Sequence, residues 1–238
     1  MGDKVFVSVV IPAYNEQFNI IETLNSVFSY LKKQSYDFEV IVVNDGSTDK
    51  TKDLILEYQK SFSNLIFIDN EINRGKGFVV KQGMLRAKGE LGLFMDADNS
   101  TKIQEIEKAL PLFKQSADLV IGSRRLKESR IVESQPAHRQ FLGEVFRLTT
   151  KFLFGLPYDD TQAGFKVFNR KARQVFARQR ISGWSFDVEL LVRAKKLGLN
   201  IVEIPIEWEN RKQSKVRLKG MIKALFEFVR IYFGKFGD

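Results

Sequence analysis

Short runs of β-branched and aliphatic residues recur along the first 120 positions, and each is followed by a polar cluster and a segment of helical spacing. That alternation constrains the fold more than any other feature. Strands are expected over residues 5–11, 38–43, 65–68, 91–95 and 119–121. Helices are expected over residues 20–31, 48–62, 76–87 and 103–113, the second capped by Ser47 or Thr48. The strand runs are nearly continuous in apolar character, as strands covered on both faces are. Repeated βα units of this length build an α/β domain with a mostly parallel sheet and helices on both faces.

After Gly122 the pattern loosens. Residues 124–136 are polar and read as a mobile loop. Residues 140–154 read as a helix mixing Phe141, Phe146 and Phe152 with Arg147 and Lys151. Short strands are expected at 167–169 and 201–206, a helix at 188–197, and a Phe-rich amphipathic helix at 221–236. With neither an internal repeat nor a low-complexity linker, one domain over residues 1–238 is the simplest organisation.

Charge divides the chain. Residues 1–120 carry 14 Lys/Arg against 17 Asp/Glu, whereas residues 121–238 carry 24 against 12. A basic second half is suited to an anionic partner such as phosphate, a lipid surface or nucleic acid. There is no cysteine, which excludes disulfides, thiolate nucleophiles and Cys-based zinc, and a single histidine argues against a His-based zinc site. No stretch of 18 uncharged apolar residues occurs, so no membrane span is expected. The opening Met-Gly-Asp-Lys runs straight into a strand, which predicts no secretory leader.

In open α/β sheets ligands bind beyond the carboxyl ends of the strands. The residues there are Pro12, Tyr14, Asn15 and Glu16 after the first strand, and Asn44 to Asp49 after the second. Asp96-Ala97-Asp98 follows the fourth strand and Gly122-Ser123-Arg124 the fifth. Paired carboxylates at 96 and 98 suit a hard divalent cation, Mg²⁺ or Mn²⁺, that bridges to substrate phosphates. Asp45-Gly46-Ser47-Thr48-Asp49 suits a turn and helix start, and the Asp45 carboxylate can also accept from a base or ribose. Tyr14 can pack on a base. Arg74-Gly75-Lys76-Gly77 lacks the P-loop and dinucleotide spacings but offers amides and a cation to phosphate.

Together these motifs resemble the inverting nucleotide-sugar glycosyltransferases of family 2, and within it the dolichyl- or polyprenyl-phosphate sugar synthases. Val-Ile-Pro-Ala-Tyr-Asn-Glu (10–16), Val-Asn-Asp-Gly-Ser-Thr-Asp (43–49), Asn-Arg-Gly-Lys-Gly (73–77) and Asp-Ala-Asp (96–98) carry the donor half. Gly-Ser-Arg (122–124), Asp-Thr-Gln-Ala-Gly-Phe-Lys (160–166), Trp-Ser-Phe-Asp-Val-Glu-Leu-Leu (184–191) and Ser-Lys-Val (214–216) carry the acceptor half. Asn99-Ser100-Thr101-Lys102 replaces the Gln and His-Pro usual in the mannosyl enzymes, and the chain looks more like the glucosyltransferases.

The resemblance implies a GT-A type fold, with residues 1–121 as the nucleotide-sugar half and 122–238 as the acceptor-binding, membrane-facing half. It implies that Pro12, Tyr14, Glu16, Asp45, Lys76, Asp96 and Trp184 hold the nucleotide sugar. Asp96 and Asp98 would hold the metal, and Arg124, Arg139 and Lys215 the acceptor phosphate. Asp98, Asp187 and Arg124 stand nearest the chemistry. UDP-glucose is the expected donor, with GDP-mannose the alternative. The acceptor is a polyprenyl or dolichyl phosphate at the cytoplasmic face of a membrane, contacted peripherally through helices 140–154 and 221–236. A membrane-protein partner or a homo-oligomer is left open.

Three rivals stand beside this reading. Transfer to a polysaccharide or protein hydroxyl would make Asp187 an essential base, where the bland alternative is a helix cap. A nucleic-acid module is disfavoured by the acidic rim and the lack of a recognition motif. A catalytically dead scaffold is disfavoured by the intact acids at 96 and 98.

Overall fold

The protein is described from a computed structural model covering residues 5–133, 137–211 and 218–234, with the side chains of residues 137–139, 142 and 218–225 left aside. The elements run β1 (Val7–Ala13), α1 (Ile20–Leu31), β2 (Phe38–Asp45), α2 (Thr51–Gln59), β3 (Leu65–Asn70), α3 (Lys76–Arg86), β4 (Leu91–Met95), α4 (Ile106–Lys114) and β5 (Leu119–Ser123). Then follow β6 (Arg130–Glu133), α5 (Ala137–Phe154), β7 (Phe165–Asn169), α6 (Phe186–Lys196), β8 (Ile201–Pro205), β9 (Glu207–Glu209) and α7 (Leu218–Phe233).

The main sheet has the order β3-β2-β1-β4-β7-β5-β8. All pairings are parallel except those of β7, which runs antiparallel between β4 and β5. Period-two alternation sends Val7, Val9 and Ile11 into one buried cluster, with Leu24, Phe28 and Ile106. Val10, Ile41 and Val43 enter the other, with Val79, Met84 and Phe186. Both faces are thus covered, as the uninterrupted apolar runs require.

Three expectations need correction. Helix α2 begins at Thr51 without a side-chain cap, rather than at 48. Ser47 Oγ instead accepts Asn15 N at 3.0 Å and donates to Asn44 Oδ1 at 2.5 Å, while Thr48 N donates to Asn15 Oδ1 at 2.8 Å. These groups tie the β1 loop to the β2 loop. The 124–136 loop contains β6, which pairs parallel with β9 in a separate two-stranded sheet. Residues 103–105 form a 3-10 turn ahead of α4.

Helices α5 and α7 pack through aromatic rings. Phe228 lies 4.3 Å from Phe146 and 5.7 Å from Phe154, centroid to centroid. On their outer sides Phe141, Leu148, Phe152, Phe226, Val229 and Phe233 are exposed. Among the described residues no helix is long and apolar enough to cross a membrane.

Candidate functional site

Strand order sets the position of the site. From β1 the sheet grows to β2 on one side and to β4 on the other, and such a switch point opens a crevice at the carboxyl ends. There the chain places Tyr14 and Glu16 after β1 beside Asp96 and Asp98 after β4. Pro12 is buried within β1, in register with Val43. Tyr14 is exposed. Glu16 accepts from Asn19 Nδ2 at 2.7 Å and lies close enough for its charge to be felt at Asp98.

Asp96 is held by its backbone, whose N–H donates to Gly164 O at 3.1 Å. A Cβ at Gly164 would run into the Asp96 carboxylate, so the bare backbone there leaves the acid its space. The Lys76 ammonium sits 2.5 Å from Asp96 Oδ1 and 5.5 Å from the Trp184 ring centroid. Burial alone would lower the Lys76 pKa, but the charges of Asp96 and Asp187 more than offset it and the pKa rises. Lys76 starts α3 because Gly75, at φ +101°, turns the chain where a side chain would meet the Ser182 backbone. Trp184 is exposed beside it.

Asp98 is half-buried and accepts from Ser100 N at 3.0 Å. Its pKa is raised, first by burial and then by the Asp96 charge. Two crowded carboxylates of this kind fit a hard divalent cation, whose charge would relieve their repulsion. Among the described residues no group of three or more His, Cys, Asp or Glu could hold a metal.

Asp45, at the end of β2, is buried. Its two oxygens accept Arg74 N at 2.7 Å and Gly75 N at 3.0 Å, and burial raises its pKa against those two hydrogen bonds. It fixes the 74–75 loop that presents Lys76, a task the sequence did not suggest.

On the other side, Arg124 follows β5. Asp160 receives its Nε at 2.6 Å, its Nη2 at 2.9 Å and its backbone N at 3.0 Å. The guanidinium carbon lies 5.4 Å from the Trp208 ring centroid. Burial disfavours the Arg124 charge, but Asp160 outweighs it and Arg124 stays fully cationic. Glu203 in turn accepts Asp159 N and Asp160 N, the latter at 2.8 Å, which steadies the pair. Lys215 and the Arg139 side chain lie outside the described residues.

Asp187 lies inside α6, not ahead of it as a cap. It is 3% exposed, and its Oδ1 accepts the wholly buried Lys166 Nζ at 2.6 Å. Lys166 also donates to Ala163 O at 2.6 Å. Burial raises the Asp187 pKa, opposed by Lys166 and then Lys76. Glu189 is buried and pairs with Arg193, accepting its Nε at 2.8 Å, as a residue orienting a basic group would.

Sequence reasoning missed Asp160 and Lys166 as partners. The available signal was Lys166 itself, a charge inside the apolar strand Phe165–Asn169, which requires a buried counter-ion.

Residues 8–176 match the family described as Glycosyl transferase family 2. The chain is 36% identical over 240 residues to a dolichyl-phosphate beta-glucosyltransferase of Trichomonas vaginalis, covering 96% of this chain and 73% of that one. It is 37% identical over 236 residues to the dolichyl-phosphate beta-glucosyltransferase of Saccharomyces cerevisiae, covering 91% and 70%. Glucosyl-3-phosphoglycerate synthase from Mycobacterium tuberculosis, crystallised with Mn²⁺, UDP and glucosyl-3-phosphoglycerate, superposes with a TM-score of 0.69 at 19% identity, covering 97% of this chain and 80% of that one. Mannosyl-3-phosphoglycerate synthase from Rubrobacter xylanophilus gives 0.71 at 18%, covering 95% and 72%. These two share the GT-A fold expected from the sequence.

Proposed function

The chain belongs to glycosyl transferase family 2, and on that premise we propose that it moves glucose from UDP-glucose onto dolichyl or a related polyprenyl phosphate, with inversion, at a membrane surface. What supports the reading is the Lys76–Asp96 pair near Asp98 at the carboxyl end of β4, with the Asp160-held Arg124 close enough for the Asp96 charge to be felt there. Relatives that glucosylate dolichyl phosphate match the chain along nearly its whole length.

The chemistry is one in-line displacement. A phosphate oxygen of the acceptor attacks the anomeric carbon, the bond from that carbon to the UDP oxygen breaks, and UDP leaves with the electron pair. A phosphate monoester has a second pKa of about 6, so near neutrality the nucleophile is largely dianionic and requires no base. What remains is the repulsion of two anions, which fixed cations on both sides reduce. Lys76 would face the departing diphosphate, and Arg124, with Arg139 and Lys215, the incoming phosphate. Tyr14, Glu16, Pro12 and Asp45 would line the nucleoside end, Asp45 also setting the loop that presents Lys76, and Trp184 would pack on the sugar. Asp96 and Asp98 would hold Mg²⁺ or Mn²⁺, which when bound offsets charge on the diphosphate.

The rival that makes Asp187 a base for a hydroxyl acceptor is less well supported, because that carboxylate is buried and tied to Lys166. The exposed aromatic flank of α5 and α7 supports peripheral lipid contact, which would put the acceptor head beside the basic half of the chain.

A donor panel tests the proposal. The purified protein is given dolichyl phosphate, Mn²⁺ and radiolabelled UDP-glucose or GDP-mannose. Product from UDP-glucose is expected. Product from GDP-mannose alone would overturn the donor, and transfer only to soluble sugar hydroxyls would overturn the acceptor.

A further inference from the structure

Helix α7 does more than present an apolar face. Its outward residues Phe226 and Val229 are exposed, and its inward residues Phe228 and Ile231 are buried in the core. Between them Glu227 also points inward and is 5% exposed. A carboxylate on the inner face of an amphipathic helix is costly unless hydrogen bonds compensate it, and a leucine would serve packing better. Glu227 finds its compensation in the 183–185 turn. Its Oε2 accepts Ser185 N at 3.0 Å. A Cβ at Gly183 would overlap the same carboxylate, so the turn is pressed closely against it. Ser185 is the N-cap residue of α6 and makes no side-chain cap bond, so a carboxylate from another helix serves the amino end of α6, where negative charge is favoured.

The turn that Glu227 holds carries the site. Trp184 lies within it, and Asp187 follows in the first turn of α6. One residue earlier, Ser182 O accepts Gly77 N at 2.8 Å and Phe78 N at 3.3 Å from the start of α3, next to Lys76. Segment 182–187 is thus clamped at one end to the donor-side helix and at the other to α7.

We propose that Glu227 is a positioning residue for glycosyl transfer: by holding the 183–185 turn it aims Trp184, and it ties the lipid-facing helix to the reaction centre. The kinetic arm rests on the transfer reaction proposed above; the structural arm does not. With Trp184 as the sole tryptophan (Trp208→Phe background), its fluorescence reports the turn directly. Glu227→Leu should lower kcat by roughly a hundredfold, the scale of a small misplacement of reacting groups, while KM for UDP-glucose stays within about threefold. The Trp184 emission should shift to the red. Glu227→Gln retains an oxygen acceptor and should restore kcat to within about fivefold and the emission fully.

Wild-type kcat and emission in Glu227→Leu would overturn the proposal, as would a Gln variant as impaired as Leu. If the Leu variant does not fold, Gly183→Ala pushes on the same carboxylate from the loop side. It should show the same kcat-selective loss, and full kcat there would also refute the idea. If the wild type transfers no glucose to dolichyl phosphate, the functional reading fails. The emission arm then still decides: a Trp184 spectrum identical in wild type, Glu227→Leu and Gly183→Ala sinks the positioning role.

Discussion

Replacing Asp160 by Asn should unmoor Arg124 without removing it. The carboxylate is 4% exposed and accepts three donors from that one residue, at 2.6, 2.9 and 3.0 Å. An amide of the same shape turns an NH₂ toward a guanidinium N–H, donor against donor. Breaking a buried pair by removing one partner costs about 3–5 kcal/mol. The Arg124 side chain is 26% exposed, so water recovers part of this, and about 2–3 kcal/mol is expected. For a chain of this length that is a fall in Tm of about 5–10 °C near neutrality. The pH dependence fixes the sign. Burial pushes the Asp160 pKa up, but the Arg124 charge and its hydrogen bonds outweigh that, and it falls below the ordinary value of 3.8. A depressed carboxyl pKa adds stability above the unfolded-state value and loses it as pH falls through the folded one. The Tm gap between wild type and variant should therefore be level from about pH 8 to about pH 5 and narrow below about pH 4. Scanning fluorimetry across that range measures it. A variant with wild-type Tm at neutrality, or a gap as wide at about pH 3 as at about pH 7, would refute the reasoning.

Other outcomes follow from the same geometry. Lys166→Met should destabilise by about 3 kcal/mol by stranding Asp187, and Lys166→Met with Asp187→Asn should cost less than the two single changes together; a double-mutant cycle in urea with strictly additive effects would contradict the pair. If Asp187 is not a base, that double variant retains transfer to lipid phosphate within about tenfold, whereas a loss of about 10³-fold or more in a folded protein would restore the base reading. Mn²⁺ should bind at least about tenfold more tightly with UDP present than without, since Asp96 and Asp98 alone make an incomplete shell, and calorimetry showing equal affinities would count against the two-carboxylate site. Phe152→Asp and Phe226→Asp, at residues 88% and 68% exposed, should each weaken binding to anionic phospholipid vesicles by about tenfold without moving Tm, and unchanged co-sedimentation would remove the lipid face.

The first half of the chain was legible because its signals are local. Helix α1 and strand β4 occupy the ranges their apolar spacing predicts. Asp96 and Asp98 fall at a strand end because β4 is a buried run that simply stops there. What escaped depends on contacts distant in sequence. Strand β6 has four exposed residues and no apolar alternation, and it exists only because β9 lies alongside. The antiparallel placement of β7 between β4 and β5 is a matter of strand order, about which spacing along the chain is silent. Ser47 and Thr48 look like helix caps by residue type, yet Asn15, 32 to 33 positions away, competes for them. Asp45 reads as a ligand group by its place after β2, while its backbone partners at 74 and 75, distant in sequence, could not be read from spacing.

The paired charges also explain how a cleft full of cations stays folded before any anion arrives. Each central cation has its own acid: Lys76 with Asp96, Lys166 with Asp187, Arg124 with Asp160. Exposure separates their duties. The Lys166–Asp187 side chains are 0% and 5% exposed, so that pair is sealed into the core and acts as a fixed strut beneath the crevice. Arg124 and Asp160 are 26% and 4% exposed: the acid is sealed and only the cation shows, so one edge of the guanidinium is held while the rest stays open to solvent. Lys76 and Asp96 are 16% and 34% exposed, and this is the pair whose acid faces solvent. Were a diphosphate and its cation to bind as proposed, Asp96 would hold the cation and Lys76 would be the charge facing the phosphate. If the proposed roles hold, the donor side would be the one able to rearrange and the acceptor side the one that stays fixed, which suits a soluble donor brought against a lipid head held at a surface.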